Sequence, residues 1–553
     1  MISRNVKSSK KRRGGTNRLR ERANLSFFIV IIFFAVFGII VLTEIFFIDE
    51  RHGMGNSARG QHRGGSGSDY EDIVLSDDYM VYRGPGGAGG TFDDNVGVFL
   101  RGVEETHLGA RLLAPVPQNA PLRAEELPLV MPESWPLFAK PSNLTPIDGQ
   151  WQPVKGTRFK FFVYSAFYDR RGSRMIRVIG ATRTRSPERV CARPELVAAK
   201  VRVIRENWNL KYSACFVLCP LPRINASYSS SPDAWPVPVS VAILAGRALL
   251  PPGNRLRVRN SEIELLNASR QDPAAYGRNL AVCVKPLHFS YNQALTILEF
   301  LEFQSILGVR HFTMYNHTIG PAVSCILNDY VRRGVLTLLP WQLPMVSQRE
   351  IRTEGLFAAL NDCLYRNMYR YGYVALVDLD EYIVPRRNDS LPALLSWLSR
   401  PGTRAAGSFS FQNAFFYLQW LDDNSSINGP DLITQRKTRR RAKLHPHKQR
   451  SKYICKPELV VEAGNHFVWE YVPGRGTLNV PADAAILHHY RVCEFGGDDC
   501  VKAASVVDRT AQRFGAQLKE SVTKRWLDLQ KSCSLPPIPT VPFAAAKLSD
   551  IQG

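Results

Sequence analysis

"YGYVALVDLDEYIVP" occupies Tyr371–Pro385. Val374-Ala375-Leu376-Val377 is a short apolar run of the kind a buried strand needs. Three carboxylates, Asp378, Asp380 and Glu381, follow within four residues. Acids so crowded repel one another unless a positive charge stands between them. The segments upstream set the context. "LAVCVKPLH" from Leu280 reads as a strand, and "YNQALTILEFLEFQSILG" has helical apolar spacing closed by Gly308. "VRHFTMYNH" is a strand, "AVSCILNDYVRRG" a helix, "VLTLLPW" a strand and "TEGLFAALNDCLYRNMYRYG" a helix, before "YVALVDLD". Strands alternating with helices predict an α/β domain with a mostly parallel sheet and helices on both faces. Ligands of such sheets bind beyond the C-terminal strand ends, where the three acids fall.

The chain has 553 residues, 45% hydrophobic and 22% charged, enough for two or three domains. Its net charge is +22. On a soluble chain that balance would point to nucleic acid, but the N-terminus changes the reading. Asn24–Thr43 carries no charged residue over 20 positions, long enough to cross a bilayer as a helix. Nine Lys and Arg precede it, and Glu44, Asp49 and Glu50 follow. The positive-inside rule puts the tail in the cytosol and the body in a lumen, so no nucleic acid partner is expected. The divisions are residues 1–24, a basic cytosolic tail; 25–48, a transmembrane signal anchor; 49–155, a Gly/Pro-rich flexible stem; 156–279, a β-rich unit of short runs such as "FKFFVYSAFYD"; and 280–545, the α/β domain.

Ten cysteines, all after residue 190, allow disulfides in an oxidising lumen without fixing their pairing. Asn143, Asn225, Asn267, Asn316, Asn388 and Asn424 begin N-x-S/T acceptor triplets.

An acidic pair at a strand end suits a divalent cation that holds a diphosphate. Carboxylates are hard oxygen ligands for Mg²⁺ or Mn²⁺, and the ion keeps positions open for phosphate oxygens. The expected cation among Asp378, Asp380 and Glu381 is therefore a metal that arrives with a nucleotide. "ILHHYR" (Ile486–Arg491) ends a second short strand; its two histidines point to opposite faces, so one of them can join the acids. Lys285 follows the first strand and could meet a nucleotide, or lie on the surface. Asp362 sits on the helix before the acidic strand, as a donor contact or an ordinary helix-face acid. Glu299 and Glu302 read as the polar face of their helix. His466, next to Asn465, reads as structural or acceptor-side, and Trp341, Trp420 and Trp469 as core aromatics or sugar platforms. Asp422, Asp423, Glu494 and Asp498 are open candidates for a general base. The run Arg436–Lys452 holds nine Lys or Arg; it reads as a solvated, mobile loop, or as a source of side chains, Lys452 included, that close over a diphosphate.

"SAFYDRR", "CVKPLH", "LEFLEFQSILGVRHFTMYN", "NDCLYR", "VDLDEYIVP", "KYICKPE" and "ILHHYR" occur in that order between about residues 157 and 500. Together they resemble glycosyltransferase family 92, the DUF23 family. The resemblance implies a Golgi type II protein with a GT-A nucleotide-sugar fold. It further implies a metal-dependent, inverting enzyme that uses Mn²⁺ and a UDP-sugar, above all a β-1,4-galactosyltransferase from UDP-galactose to a glycan or cell-wall polysaccharide. Asp378, Asp380, Glu381 and Tyr382 match the family's acidic motif, and its H-Y-R pattern selects His489 over His488 as a third metal ligand. Two other classes are a silent scaffold that retains the fold and a phosphohydrolase with a D-x-D after a strand. Glu381-Tyr382 and the lumenal placement speak against the hydrolase.

Overall fold

The computed structural model describes residues 144–540, apart from 194–196, 222–236, 246–251, 262–263, 266–278, 424–428 and 494–498. The tail, the apolar run Asn24–Thr43 and nearly all of the stem lie outside the described residues, as do Asn143, Asn225, Asn267, Asn424, Glu494 and Asp498. Among the described residues no helix is long and apolar enough to cross a membrane.

The β-rich unit is an eight-stranded sheet: β1 (Gln152–Pro153), β2 (Phe162–Asp169), β3 (Met175–Arg183), β4 (Val190–Arg193), β5 (Val197–Val203), β6 (Tyr212–Pro220), β7 (Ser240–Ala245) and β8 (Leu256–Arg259). Its order is β1-β2-β3-β6-β5-β4-β7-β8, antiparallel between neighbours, and β2 also pairs in parallel with β8 at Ala166–Val258. The run thus closes on itself and leaves few open strand edges.

The second unit starts with β9 (Leu280–Cys283), followed by α1 (Ala294–Ile306), β10 (Val309–Asn316), α2 (Pro321–Arg332), β11 (Leu336–Pro340), α3 (Leu356–Asn367) and β12 (Tyr373–Leu376). This is the alternation expected from the sequence. Beyond it come β13 (Glu381–Pro385), α4 (Leu391–Leu398), β14 (Ala406–Phe411), β15 (Asn413–Tyr417), α5 (Ile433–Arg436), β16 (Arg439–Arg441) and β17 (Lys452–Cys455). The chain continues through β18 (Val460–Ala463), β19 (Val468–Tyr471), β20 (Gly476–Asn479), β21 (Ala485–Arg491), α6 (Asp499–Lys502), β22 (Ser505–Val507) and α7 (Gly515–Gln530). The central sheet runs β11-β10-β9-β12-β17-β14-β20. β11, β10, β9 and β12 are parallel, and β17 enters antiparallel between β12 and β14. A smaller sheet, β13-β21-β15, lies at the end of the acidic turn.

Strand alternation places side chains on two faces. Leu280 and Val282 enter the core shared with α1 and α2, whereas Ala281 and Cys283 enter the one shared with α3 and the β unit. Gly308 closes α1 as expected, with φ +104°, and a Cβ there would meet Pro392 Cδ at 2.6 Å. Glycine is thus required both by conformation and by space.

Two expectations fail here. α1 does not present Glu299 and Glu302 to water: both are buried, because α7 packs over that face. Glu302 accepts from Tyr330 and from Ser521 of α7, and Glu299 accepts from the backbone of Ile433 and Thr434 at the start of α5. The basic run is not one mobile loop. Arg439–Arg441 forms β16 paired with β22, and Asp422 and Asp508 bind Arg436, Lys437 and Arg440.

Cys283 is joined to Cys363, Cys325 to Cys533 and Cys493 to Cys500, with Cys191, Cys215, Cys219 and Cys455 free. The first bond fixes the end of β9 to α3.

Candidate functional site

The strand order reverses at β9. From β9 the chain moves to β10 and β11 on one side, then returns to place β12 on the other. Such a switch point opens a crevice beyond the two strand ends. Lys285 leaves β9 there, and Asp378 leaves β12. Their charged atoms meet: Lys285 Nζ is 2.8 Å from Asp378 Oδ2. β17 is antiparallel, with Tyr453 opposite Leu376, so its first residue, Lys452, stands at this same edge. Lys452 Nζ donates to the same oxygen of Asp378 at 2.9 Å and lies 3.2 Å from Glu381 Oε2. All of these side chains are buried.

The acidic segment folds as a tight turn. Glu381 N donates to Asp378 O, and Asp378 N donates to the Glu381 carboxylate at 2.9 Å. Glu381 then begins β13, opposite His489 of β21. His489 Nε2 lies 3.1 Å from Asp380 Oδ2, and its Nδ1 lies 3.4 Å from Glu381 Oε1 and 3.1 Å from Asn413 Nδ2. Tyr490 N donates to Asp380 O and fixes the backbone beneath that carboxylate. The structure thus brings Asp378, Asp380, Glu381, Lys285, Lys452 and His489 together.

Burial alone would push the Asp378 pKa up. The Lys285 and Lys452 ammonium groups override it and hold the carboxyl well below the usual range. Burial would likewise lower Lys452, but Asp378 and Glu381 raise it. Glu381 is raised by burial; Lys452 and His489 oppose the rise, and Asp378 and Asp380 add to it. The charge expected to separate the acids is therefore partly supplied by the protein: two lysines serve Asp378 and Glu381. Lys285 is accordingly no surface residue.

Asp380 takes no Lys or Arg partner among the described residues; its side-chain neighbour is the His489 imidazole. A carboxylate oxygen and a ring nitrogen 3.1 Å apart match the edge of an octahedral ion with bonds of about 2.1 Å, about 3 Å. A ligating imidazole also needs an acceptor for its other N–H; Glu381 Oε1 lies 3.4 Å from Nδ1, and the Asn413 amide flanks the same nitrogen at 3.1 Å. These two donors fit a divalent cation. Asp378 Oδ2 fits less well, since two ammonium groups already occupy it. Among the described residues no group of three His, Cys, Asp or Glu side chains is arranged to hold an ion alone, so phosphate oxygens would have to complete the shell.

The other candidates lie elsewhere. Asp362 is a correction. It is fully buried and accepts from Ser165 Oγ (2.5 Å), Tyr315 OH (2.7 Å) and the Arg366 guanidinium (2.9 Å). Arg366 also binds Asp148, so this cluster joins the β unit to α3 and leaves Asp362 no lone pair for a donor. His488 points away from Asp380, stacks on Phe416 at 4.4 Å and is pushed down to about 3 by burial. His466 donates from Nδ1 to Ser451 O, while its Nε2 accepts from Asn465. Asp422 and Asp423 are tied to Arg436, Thr438 and Arg509. Trp341 and Trp420 are buried, with their indole N–H groups on Glu354 O and Val501 O. Asn316, at the end of β10, and Asn388, before α4, are both half-buried. Sequence reasoning missed Asn413 and Glu206; neither belongs to a motif that marks it.

Residues 278–535 match glycosyltransferase family 92. The resemblance carried by the acidic and H-Y-R motifs therefore holds for the region that builds the site. Two relatives from Caenorhabditis elegans are similar to parts of this chain. Beta-1,4-galactosyltransferase galt-1 is 22% identical over 252 residues, covering 45% of this chain and 55% of that protein. Glycosyltransferase family 92 protein F13G3.3 is 29% identical over 144 residues, covering 24% and 28%. The chain thus spans about half or less of the relatives it matches. Among solved structures, S. aureus TarS 1–349 in complex with UDP-GlcNAc has a TM-score of 0.23 at 11% identity, covering 38% of this chain and 58% of that one. Glucosyl-3-phosphoglycerate synthase from Mycobacterium tuberculosis has a TM-score of 0.22 at 16% identity, covering 50% and 85%. These structural likenesses are too slight to carry an argument, and the family 92 match stands on the sequence.

Proposed function

We propose that the chain is a metal-dependent, inverting glycosyltransferase with a GT-A-type site. In this reading it transfers galactose from UDP-galactose in β-1,4 linkage to a glycan or polysaccharide, held in the Golgi membrane by the apolar run before residue 48. The observation that carries the reading is the division of charge at the switch point. Two lysines balance Asp378 and Glu381, while the Asp380 carboxylate faces an imidazole and no Lys or Arg among the described residues. That surplus negative charge at a strand end suits one divalent cation, Mn²⁺ above all, with Asp380 and His489 as its protein ligands. When bound, the ion would stabilise the charge that develops on a departing diphosphate.

The chain's own residues have separate tasks. Lys285 and Lys452 hold Asp378 and keep the edge of the crevice rigid. Glu381 and Asn413 flank His489 at Nδ1 and hold the ring, and the Tyr490 N–H holds the Asp380 backbone. The family 92 match and the galactosyltransferase relative support the class of reaction and the choice of sugar.

The test is a screen of UDP-sugars against the full chain in detergent, with Mn²⁺ and a panel of glycan acceptors. UDP release from UDP-galactose that depends on acceptor is expected. Release of inorganic phosphate from phosphomonoesters would favour the hydrolase class, and no turnover with any donor would favour a silent scaffold.

A further inference from the structure

The β unit lies outside the family 92 match, yet one of its residues reaches the acidic turn through an unbroken chain of hydrogen bonds. Arg202, near the end of β5, and Arg205, just after it, grip the β18–β19 hairpin. Arg202 pairs with Glu462 and Glu470, and Arg205 donates from its backbone to Glu462 Oε1 at 2.9 Å and from its side chain to Trp469 O at 2.7 Å. At its turn the Trp469 ring packs directly on Gly464, where a Cβ would meet Trp469 Cδ1 at 2.4 Å. The next residue, Glu206, accepts on Oε2 from Asn465 N and from Trp469 Nε1, both at 3.0 Å. Asn465 Oδ1 in turn accepts from Lys452 Nζ at 3.0 Å, and Lys452 Nζ donates to Asp378 Oδ2 at 2.9 Å.

We infer that Glu206 is a positioning residue for the proposed transfer: by fixing the Asn465 backbone it sets where Lys452 holds Asp378, which makes the β unit a working part of the active site. Three acceptors, Asp378, Glu381 and Asn465, share the three N–H bonds of the Lys452 ammonium. Without Glu206 the Asn465 backbone N–H and the Trp469 indole N–H lose their common acceptor. A buried donor left unmade costs about 1–3 kcal/mol, and the hairpin relieves it by moving. Lys452 then loses one of three anchors, and the second ammonium group on Asp378 Oδ2 is no longer fixed beside Lys285. The effect reaches Asp380 because Asp378 and Glu381 close the turn that carries it.

The inference rests on the proposed function, and its test separates the two. Donor KM and kcat are measured for the full chain carrying Glu206→Ala, Glu206→Gln, Lys452→Ala and the Glu206→Ala/Lys452→Ala pair, each with its melting temperature. Lys160→Ala, which removes an exposed ion pair to Glu350 at the same boundary, is the control for general loosening. Glu206→Ala is expected to lower kcat/KM at least tenfold while the chain stays folded at the assay temperature. Glu206→Gln, which keeps a carbonyl acceptor, should recover most of the loss. Against Lys452→Ala, Glu206→Ala should have little further effect, and Lys160→Ala should leave the kinetics unchanged. If Glu206→Ala does not fold, Glu206→Gln and Asn465→Ala, each with and without Lys452→Ala, carry the same coupling test. Equal losses in the presence and absence of Lys452, or full activity in a folded Glu206→Ala chain, would overturn the inference alone. A wild-type chain that turns over no UDP-sugar would overturn the proposed function instead.

Discussion

Lys285 Nζ and Asp378 Oδ2 lie 2.8 Å apart across the switch point of the central sheet, joining the first strand of the α/β unit to the strand that ends in the acidic turn. Lys452 completes a two-ammonium clamp on the same oxygen. Much of the site's rigidity follows from this contact, since each partner is buried and has no water to fall back on.

Removing one cation from the clamp should therefore cost stability as well as activity. Lys452→Met leaves Asp378 and Glu381 buried against a single ammonium group. A loss of about 3–5 kcal/mol is expected, read as a shift in the denaturant midpoint of the full chain. Lys285→Met should cost less, because Lys452 still serves both acids. Equal, small shifts would show that the clamp does not hold the turn.

The two histidines of "ILHHYR" should separate by metal requirement. His489→Ala is expected to raise the half-saturating Mn²⁺ concentration by more than the roughly tenfold that loss of an outer partner costs, or to abolish activity. His488→Ala should leave the Mn²⁺ requirement unchanged and lower stability, since it deletes a buried ring stacked on Phe416. Activity measured across a Mn²⁺ series, with a melting curve for each variant, distinguishes the two outcomes.

The parallel strands, their order of appearance and the acids at a strand end were all legible in the sequence, because each rests on local periodicity and on glycine or acid placed at an element's end. His489 was legible only in part. Alternation along β21 showed that one histidine could face the acids, and the family pattern chose which. The partners of Asp378 were not legible, since Lys452 reaches it across 74 residues through an antiparallel strand inserted in the sheet. Asp362 and Glu299 were misread for a related reason. Sequence spacing shows that a carboxylate lies on a helix face, but not that Arg366 or the start of α5 will meet it there.

The Asp148–Arg366–Asp362 cluster predicts a purely structural phenotype. Arg366→Met would leave the buried Asp362 without a cation and the half-buried Asp148 with Arg259 alone. It should destabilise the chain by about 3–5 kcal/mol and loosen the β unit from α3, which limited proteolysis would detect as faster cleavage between the units. The melting temperature should fall before donor KM changes.

Glu299 should make stability depend on pH. Burial, followed by the opposing hydrogen bonds from Thr434 and Ile433, leaves it pushed up to about 7 from an ordinary value of 4.5. The folded chain holds this proton more tightly than the unfolded one. The contribution is full below about pH 4.5 and is lost as pH rises through about 7, at most about 3 kcal/mol in all. Urea midpoints for wild type and Glu299→Gln at pH 5 and pH 8 isolate it: the difference between the two chains should change with pH in that direction, and a constant difference would rule it out.

The most direct measurement of the central claim is calorimetric binding of UDP to the full chain, with and without Mn²⁺, for wild type and Asp380→Ala. If Asp380 and His489 hold a cation that receives the diphosphate, wild type binds UDP with Mn²⁺ and loses at least about tenfold in affinity, 1.4 kcal/mol, when the metal is chelated; Asp380→Ala binds weakly in both conditions. UDP binding that is equally tight with and without Mn²⁺, or unchanged in Asp380→Ala, would contradict the account.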